Sequence, residues 1–147
     1  MKLHISYKND KISGYTHINP LEGNNIRNLA KIVDNECTEI LAPDIIDFLP
    51  LTEVEETLKH WLSKLRLKGK LIIGGNDIYE IAKNLVVGGI DSLEANHLLF
   101  GKIEQTWEIK RCCINIQDLV DLLNQLGMKI VKKQLVGMKM LVEAIRE

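Results

Sequence analysis

Residues 52–73, TEVEETLKHWLSKLRLKGKLII, constrain the fold more than any other stretch of the chain. Leu58, Trp61, Leu62 and Leu65 recur at the spacing of one helical face. Glu53, Glu55 and Glu56 fall in the first turn, where the helix dipole favours anions, and Thr52 is a capping residue. A helix is therefore expected over about Thr52–Leu67, stopped by Gly69 and followed by a short, buried strand over Lys70–Ile73. An amphipathic helix running straight into an apolar strand is half of a strand–helix–strand crossover, the unit from which parallel sheets are built.

The remaining pattern extends that unit in both directions. Strands are expected at Lys2–Tyr7, Tyr15–Ile18 and Glu39–Ala42, the last ended by Pro43, which cannot donate to a ladder. Ile26, Leu29, Ala30 and Val33 have helical spacing and predict a short helix between the second and third strands. Gly74, Gly75 and Asn76 make a tight exit into a helix over about Asp77–Val87, closed by Gly88 and Gly89. Another helix is expected over Ile116–Leu126, stopped by Gly127. Met128–Val136 and Met138–Ile145 then flank Gly137 as an antiparallel pair. The pattern weakens between residues 90 and 111, which form an expected lid or insertion. The fold class is thus α/β: one domain over residues 1–147, a mostly parallel sheet with a C-terminal antiparallel hairpin, and helices on both faces.

Composition narrows the function. Nineteen Lys and Arg against twenty Asp and Glu leave a net charge of −1, so no nucleic-acid partner is expected, because such binding draws on excess cations. The basic series Lys59, His60, Lys64, Arg66, Lys68 and Lys70 is the solvated end of the amphipathic helix. No apolar run approaches the roughly 20 residues that span a bilayer. With no leader-like segment at the N-terminus, the expectation is a cytoplasmic protein without a membrane partner. Cys37, Cys112 and Cys113 lack metal-ligand spacing, as do His4, His17, His60 and His97, so reduced thiols and no metal are expected.

In sheets of this class, ligands bind beyond the C-terminal ends of the strands. Here those ends are Ser6–Asn9, Ile18–Pro20, Ala42–Asp44 and Gly74–Asp77. The stretch KLHISYKNDKISGYTHINP is similar to a KLHLGCG element followed by GYxNVD. VDNECTEILAPDIIDFLP stands in place of PDNSFDEIYASHVLEHF, LKHWLSKLRLKGKLIIGGND is similar to a helix followed by LKPGGKLxIxxPD, and INIQDLVDLLNQLGMKI resembles FxxExLxxLLxxAGF. In this order, over nearly the whole chain, the sequence resembles the class I S-adenosylmethionine-dependent methyltransferases, in particular the small methyltransferase-like proteins of bacteria and phages. The resemblance implies a Rossmann-like fold and S-adenosylmethionine as the cofactor.

It also implies which residues face that cofactor. The family's glycine loop falls on Ser6, Tyr7 and Lys8, followed by Asn9, and its ribose-binding acidic residue on Asn19. Asp34 and Asn35 match the element beside the adenine, and Ala42 and Pro43 end the strand facing the methyl donor. Asp44, Asp47 and His97 become substrate-facing candidates; Asp47 stands where the family has Glu, and Phe48 replaces the following His. Glycine lets backbone approach a ligand because it has no Cβ, and a tyrosine in that loop takes up the space instead. Asn19 keeps one acceptor oxygen but loses the charge and bidentate geometry of a carboxylate. Methyl transfer depends chiefly on positioning, so these departures imply weak or absent transferase activity. Two further readings stand beside that one: an active methyltransferase of unknown acceptor, and an assembly or partner subunit. Segment 96–111 carries His97, Trp107 and Lys110, which are capable of chemistry. Its apolar triplet Leu98, Leu99 and Phe100 is a candidate homodimer contact.

Overall fold

In the computed structural model, which describes residues 1–147, six strands form one sheet. They are β1 (Lys2–Ile5), β2 (Thr16–Ile18), β3 (Cys37–Ala42), β4 (Leu65–Asn76), β5 (Met128–Val136) and β6 (Lys139–Arg146). Their order across the sheet is β2-β1-β3-β4-β6-β5. The first four strands are parallel, and β6 runs antiparallel between β4 and β5. Four helices accompany them: α1 (Val54–Lys64), α2 (Ile78–Val86), α3 (Ser92–Phe100) and α4 (Ile116–Gln125). The mixed sheet and the C-terminal antiparallel pair match the sequence-based expectation.

The cross-strand register separates the side chains into two unlike faces. One face carries the rows Leu3–Ile40–Leu71–Ala144 and Ala42–Ile73–Val142, all at 0% exposure. These pack with Leu58 and Trp61 of α1 and Leu119 and Leu123 of α4 into a single core. The other face carries the rows His4–Leu41–Ile72–Glu143 and Lys2–Glu39–Lys70–Ile145, in which Leu41, Ile72 and Ile145 are only half-buried. No helix lies on it. The expected arrangement with helices on both faces is corrected here. The ten residues between β1 and β2 form a loop, where a crossover helix normally covers a parallel pair.

Four other expectations change. Residues 26–33 form turns, not a helix, although Ile26, Leu29 and Ile32 are buried. Their backbone groups are taken by α1 side chains: His60 Nε2 accepts from Leu29 N–H at 2.8 Å, and Trp61 Nε1 donates to the Ile26 carbonyl at 2.8 Å. Thr52 does not cap α1, which begins two residues later after a 3-10 turn. Gly69 does not end it, because β4 already begins at Leu65. A register shift between the Cys37–Leu65 and Glu39–Lys70 pairs absorbs Arg66–Gly69, with Lys68 at φ 64°. Finally, the weakly patterned segment after residue 90 contains α3, whose N-cap Asp91 accepts from Glu94 N–H at 2.8 Å. α2 and α3 pack on each other around Ile81, Ile90 and Ala95. No helix is long and apolar enough to cross a membrane.

Candidate functional site

The C-terminal ends of β1, β3 and β4 converge on a cavity of about 170 Å³. Ser6, Tyr7 and Lys8 enter it from β1, Asp44, Asp47 and Phe48 from the turn after β3, and Asn76 from the end of β4. Trp107 and Lys110 come from the strap after α3, and Lys139 arrives because β6 pairs Lys139 with Asn76. Asn76 falls within the Gly74–Asp77 strand end marked in the sequence, and Lys139 is the member that sequence reasoning missed. Lys139 carries no local signal, since only strand pairing brings it there.

Three aromatic rings occupy the mouth. Tyr7 stacks on Trp107 with ring centroids 4.9 Å apart and planes 3° from parallel, and Phe48 lies 4.8 Å from Tyr7 at 56°. Stacking at this distance is a favourable contact worth about 0.5–1.5 kcal/mol beyond buried area. The Tyr7 ring thus fills space directly beyond the end of β1. Ser6 is buried, and its hydroxyl accepts from Lys8 N–H at 3.0 Å, which fixes the bend that delivers Tyr7.

Asp47 is the most confined charged group. It is 3% exposed, its Oδ2 accepts from Asn76 N–H at 3.0 Å, and Lys110 Nζ lies 3.5 Å away. Its Oδ1 has no partner and lies against Gly75, where an added Cβ would approach it to 2.5 Å. Burial raises its pKa above the ordinary carboxylate value, and the Asn76 and Lys110 contacts only partly oppose the shift. The carbonyl of Asp47 also accepts from Arg111 and Cys112 N–H at 2.7 and 3.1 Å, so the same residue anchors the strap that carries Trp107. At the rim, Asp44 lies between Lys8 at 3.5 Å and Lys139 at 3.6 Å. Beside the site, burial pushes the Cys112 thiol up to about 11 and the Cys113 thiol up to about 12. Both are held protonated and unreactive at neutral pH.

The other sequence candidates divide. Ala42 is fully buried as the last residue of β3, and Pro43 follows it toward the cavity. His97 sits on α3 and lines a neighbouring cavity of about 250 Å³ that shares Phe48, Asn76, Trp107, Lys110 and Lys139 with the first. Asn9 is exposed, and its side-chain oxygen accepts from Asn19 Nδ2 at 3.3 Å. Asn19 is 1% exposed and committed to structure: its Oδ1 accepts from Leu21 N–H at 2.9 Å as a cap, and its Nδ2 also reaches the Tyr7 carbonyl at 3.4 Å. Asp34 and Asn35 lie at the opposite end of β3, about 20 Å away along a strand of this length. There Asp34 pairs with Lys64 at 2.7 Å, and Asn35 Oδ1 accepts from Arg146 at 2.8 Å. The structure does not bring these two residues to the site.

No protein-family profile and no curated protein sequence matches the chain. Solved structures do. A 1,6-didemethyltoxoflavin-N1-methyltransferase from Burkholderia thailandensis, determined with its substrate and S-adenosylhomocysteine, matches 99% of this chain and 70% of its own at TM-score 0.65 and 11% identity. An S-adenosylmethionine-dependent methyltransferase from Archaeoglobus fulgidus matches 97% of this chain and 74% of its own at TM-score 0.59 and 8% identity. An O-methyltransferase family protein from Burkholderia thailandensis matches 90% of this chain but only 36% of its own, at TM-score 0.61 and 11% identity. The chain spans 34–52% of the length of three such relatives. At these identities the likeness is one of fold: the chain has the fold of S-adenosylmethionine-dependent methyltransferases.

Proposed function

We propose that this protein is a methyltransferase-fold module whose cofactor crevice is closed by its own aromatic side chains, leaving it without methyl-transfer activity and with room for a small polar ligand only. The observation that carries this reading is the Tyr7–Trp107 stack, backed by Phe48, over the C-terminal end of β1. Sites that enclose molecules of cofactor size measure about 300–1,000 Å³, whereas the two cavities that Trp107 lines measure about 170 and 250 Å³. S-adenosylmethionine does not fit the residues present. Tyr7 stands where backbone must approach the methionine portion, and the Asn19 carboxamide is already engaged on both its oxygen and its nitrogen. Asp47 and Lys110 hold an ion pair at the cavity wall, and no mechanism of methyl transfer is built on them.

The second reading, a working methyltransferase, has one observation in its favour. Tyr7 and Trp107 both lie on segments outside helix and strand, so a ligand can displace the stack without breaking the sheet. Thermal-shift titration with S-adenosylmethionine and S-adenosylhomocysteine, followed by calorimetry, separates the two. No saturable shift at millimolar ligand is expected for the wild type, and weak binding is expected to emerge in Tyr7→Gly. A ligand at 100 times its dissociation constant stabilises by about 2.7 kcal/mol, so a shift of several degrees in the wild type would overturn the closed-crevice reading.

A further inference from the structure

Lys110 is a largely buried cation without a close partner. Its side chain is only 20% exposed, yet its Nζ meets Asp47 Oδ2 and the Leu98 carbonyl at 3.5 Å and the Phe48 ring at 6.0 Å. Charge-assisted N–H···O bonds measure about 2.7–2.9 Å, as the Lys64–Asp34 pair does at 2.7 Å. An ammonium has three donors, and Lys110 has none of them in a bond of that length. Lys8 and Lys139 are held no better, at 3.5 and 3.6 Å from the one Asp44 carboxylate. We propose, resting on the closed-crevice reading, that the two adjoining cavities bind a small monocarboxylate with a short apolar or aromatic body. Lys110 and Lys139 take its carboxylate, and Phe48 and Trp107 receive its body.

Charge sets the sign and number of the ligand's charges. Lys110 and Lys139 line both cavities. Across the two, Lys8, Lys102, Lys110 and Lys139 face the three carboxylates of Asp44, Asp47 and Glu108. Four lysines against three carboxylates leave one positive charge without a counterpart, which one carboxylate neutralises. A dianion such as phosphate brings a second negative charge beside Asp44 and Asp47 with no cation left to balance it. A cationic ligand finds the Phe48 ring already faced by Lys110. The apolar part of the ligand follows from the walls. Phe48 and Trp107 have ring centroids 6.0 Å apart and planes tilted by 54°, and Leu98 adds an apolar wall to the larger cavity. Pockets of this kind take an apolar body and fix its orientation with a few polar groups. Here Lys110 and Lys139 are those groups, and the cavities of about 170 and 250 Å³ admit a body of a few carbons.

NMR titration of the isotope-labelled protein at fixed ionic strength tests this, with the Trp107 indole N–H and the Asn76 and Lys139 amides as reporters. The probes are benzoate, butyrate, acetate, inorganic phosphate and the cation benzamidine. Benzoate and butyrate are expected to saturate these signals at about millimolar concentration, roughly tenfold tighter than acetate or phosphate, with no saturable response to benzamidine. Lys110→Gln and Lys139→Gln are each expected to weaken benzoate binding roughly tenfold. Lys59→Gln, on the exposed surface of α1, is expected to leave it unchanged. Lys139 is 61% exposed, so its variant decides the matter if Lys110→Gln impairs folding. No saturation by benzoate or butyrate at tens of millimolar overturns the proposal. So does phosphate binding as tightly as benzoate, which marks nonspecific attraction to lysines, or benzoate binding that is indifferent to both substitutions. S-adenosylmethionine is titrated in parallel. Silence from both S-adenosylmethionine and the carboxylates overturns the carboxylate site and leaves the crevice closed, whereas saturation by S-adenosylmethionine in the wild type overturns the closed crevice itself.

Discussion

At the scale of single residues, the site is governed by what each side chain is already doing. Asn19 replaces the acidic residue of the cofactor pattern in the sequence, and in the fold it caps the turn after β2 and ties the Tyr7 carbonyl to Asn9. Asp47 was legible as a candidate only through the family resemblance, standing where that pattern has Glu; its neighbours Asn76, Lys110 and Lys139 were not legible together, because three separate segments deliver them. The Asp47 pKa gives a signed prediction. A carboxyl whose native pKa is raised above the unfolded value of 3.8 binds its proton more tightly when folded. Its stabilising effect is therefore complete below pH 3.8 and is lost as pH rises through the raised native value. Asp47→Asn keeps an acceptor for Asn76 N–H and removes the buried charge. Thermal melts across pH 3–8 are expected to show the difference in Tm, variant minus wild type, growing more positive as pH rises. A difference that is flat, or that falls with pH, would show that the Lys110 contact outweighs burial.

At the scale of elements, the segments with strong local patterns were legible, and the failures have a common cause. α4 follows its apolar period and is capped by Asn115, which accepts from Asp118 N–H at 2.9 Å. Residues 26–33 have helical spacing too, but their spacing reflects burial under α1 rather than helix formation. Asn25 turns back to accept from Arg27 N–H at 3.0 Å, and His60 and Trp61 take backbone groups that a helix would need. Periodicity reports which residues face the core; it does not report which competitor claims the backbone. Trp61 is the hinge of that arrangement, being 0% exposed and bonded to the Ile26 carbonyl. Trp61→Phe deletes the donor, leaves the carbonyl unpaired in the core and opens a small cavity. Destabilisation of about 2–3 kcal/mol is expected, measured by urea unfolding. A companion loss of hydrogen-exchange protection at Leu29 N–H is expected, because His60 no longer has the ordered turn to cap.

At the scale of the whole molecule, the decisive feature is one the sequence pattern concealed. Alternating strands and helices imply a two-sided α/β sandwich, but the loop between β1 and β2 is too short to carry a helix across the second face. The central strands still show partly apolar residues there, and a single strand read alone cannot say whether a half-buried leucine meets a helix, water or another chain. The buried apolar strand residues of the main core share one cluster with α1, α4 and the turns over residues 26–33, so stability rests chiefly on that face of the sheet. That asymmetry predicts how the protein responds to truncation. Truncation on the two faces is expected to cost very different amounts, because only a fully buried side chain leaves a cavity behind. Leu71→Ala and Ile72→Ala, neighbours on β4 that point to opposite faces, are expected to differ by about 2 kcal/mol in urea unfolding, Leu71 being fully buried and Ile72 half-buried. Equal losses at the two positions would mean that the second face carries as much of the stability as the α1–α4 side of the sheet.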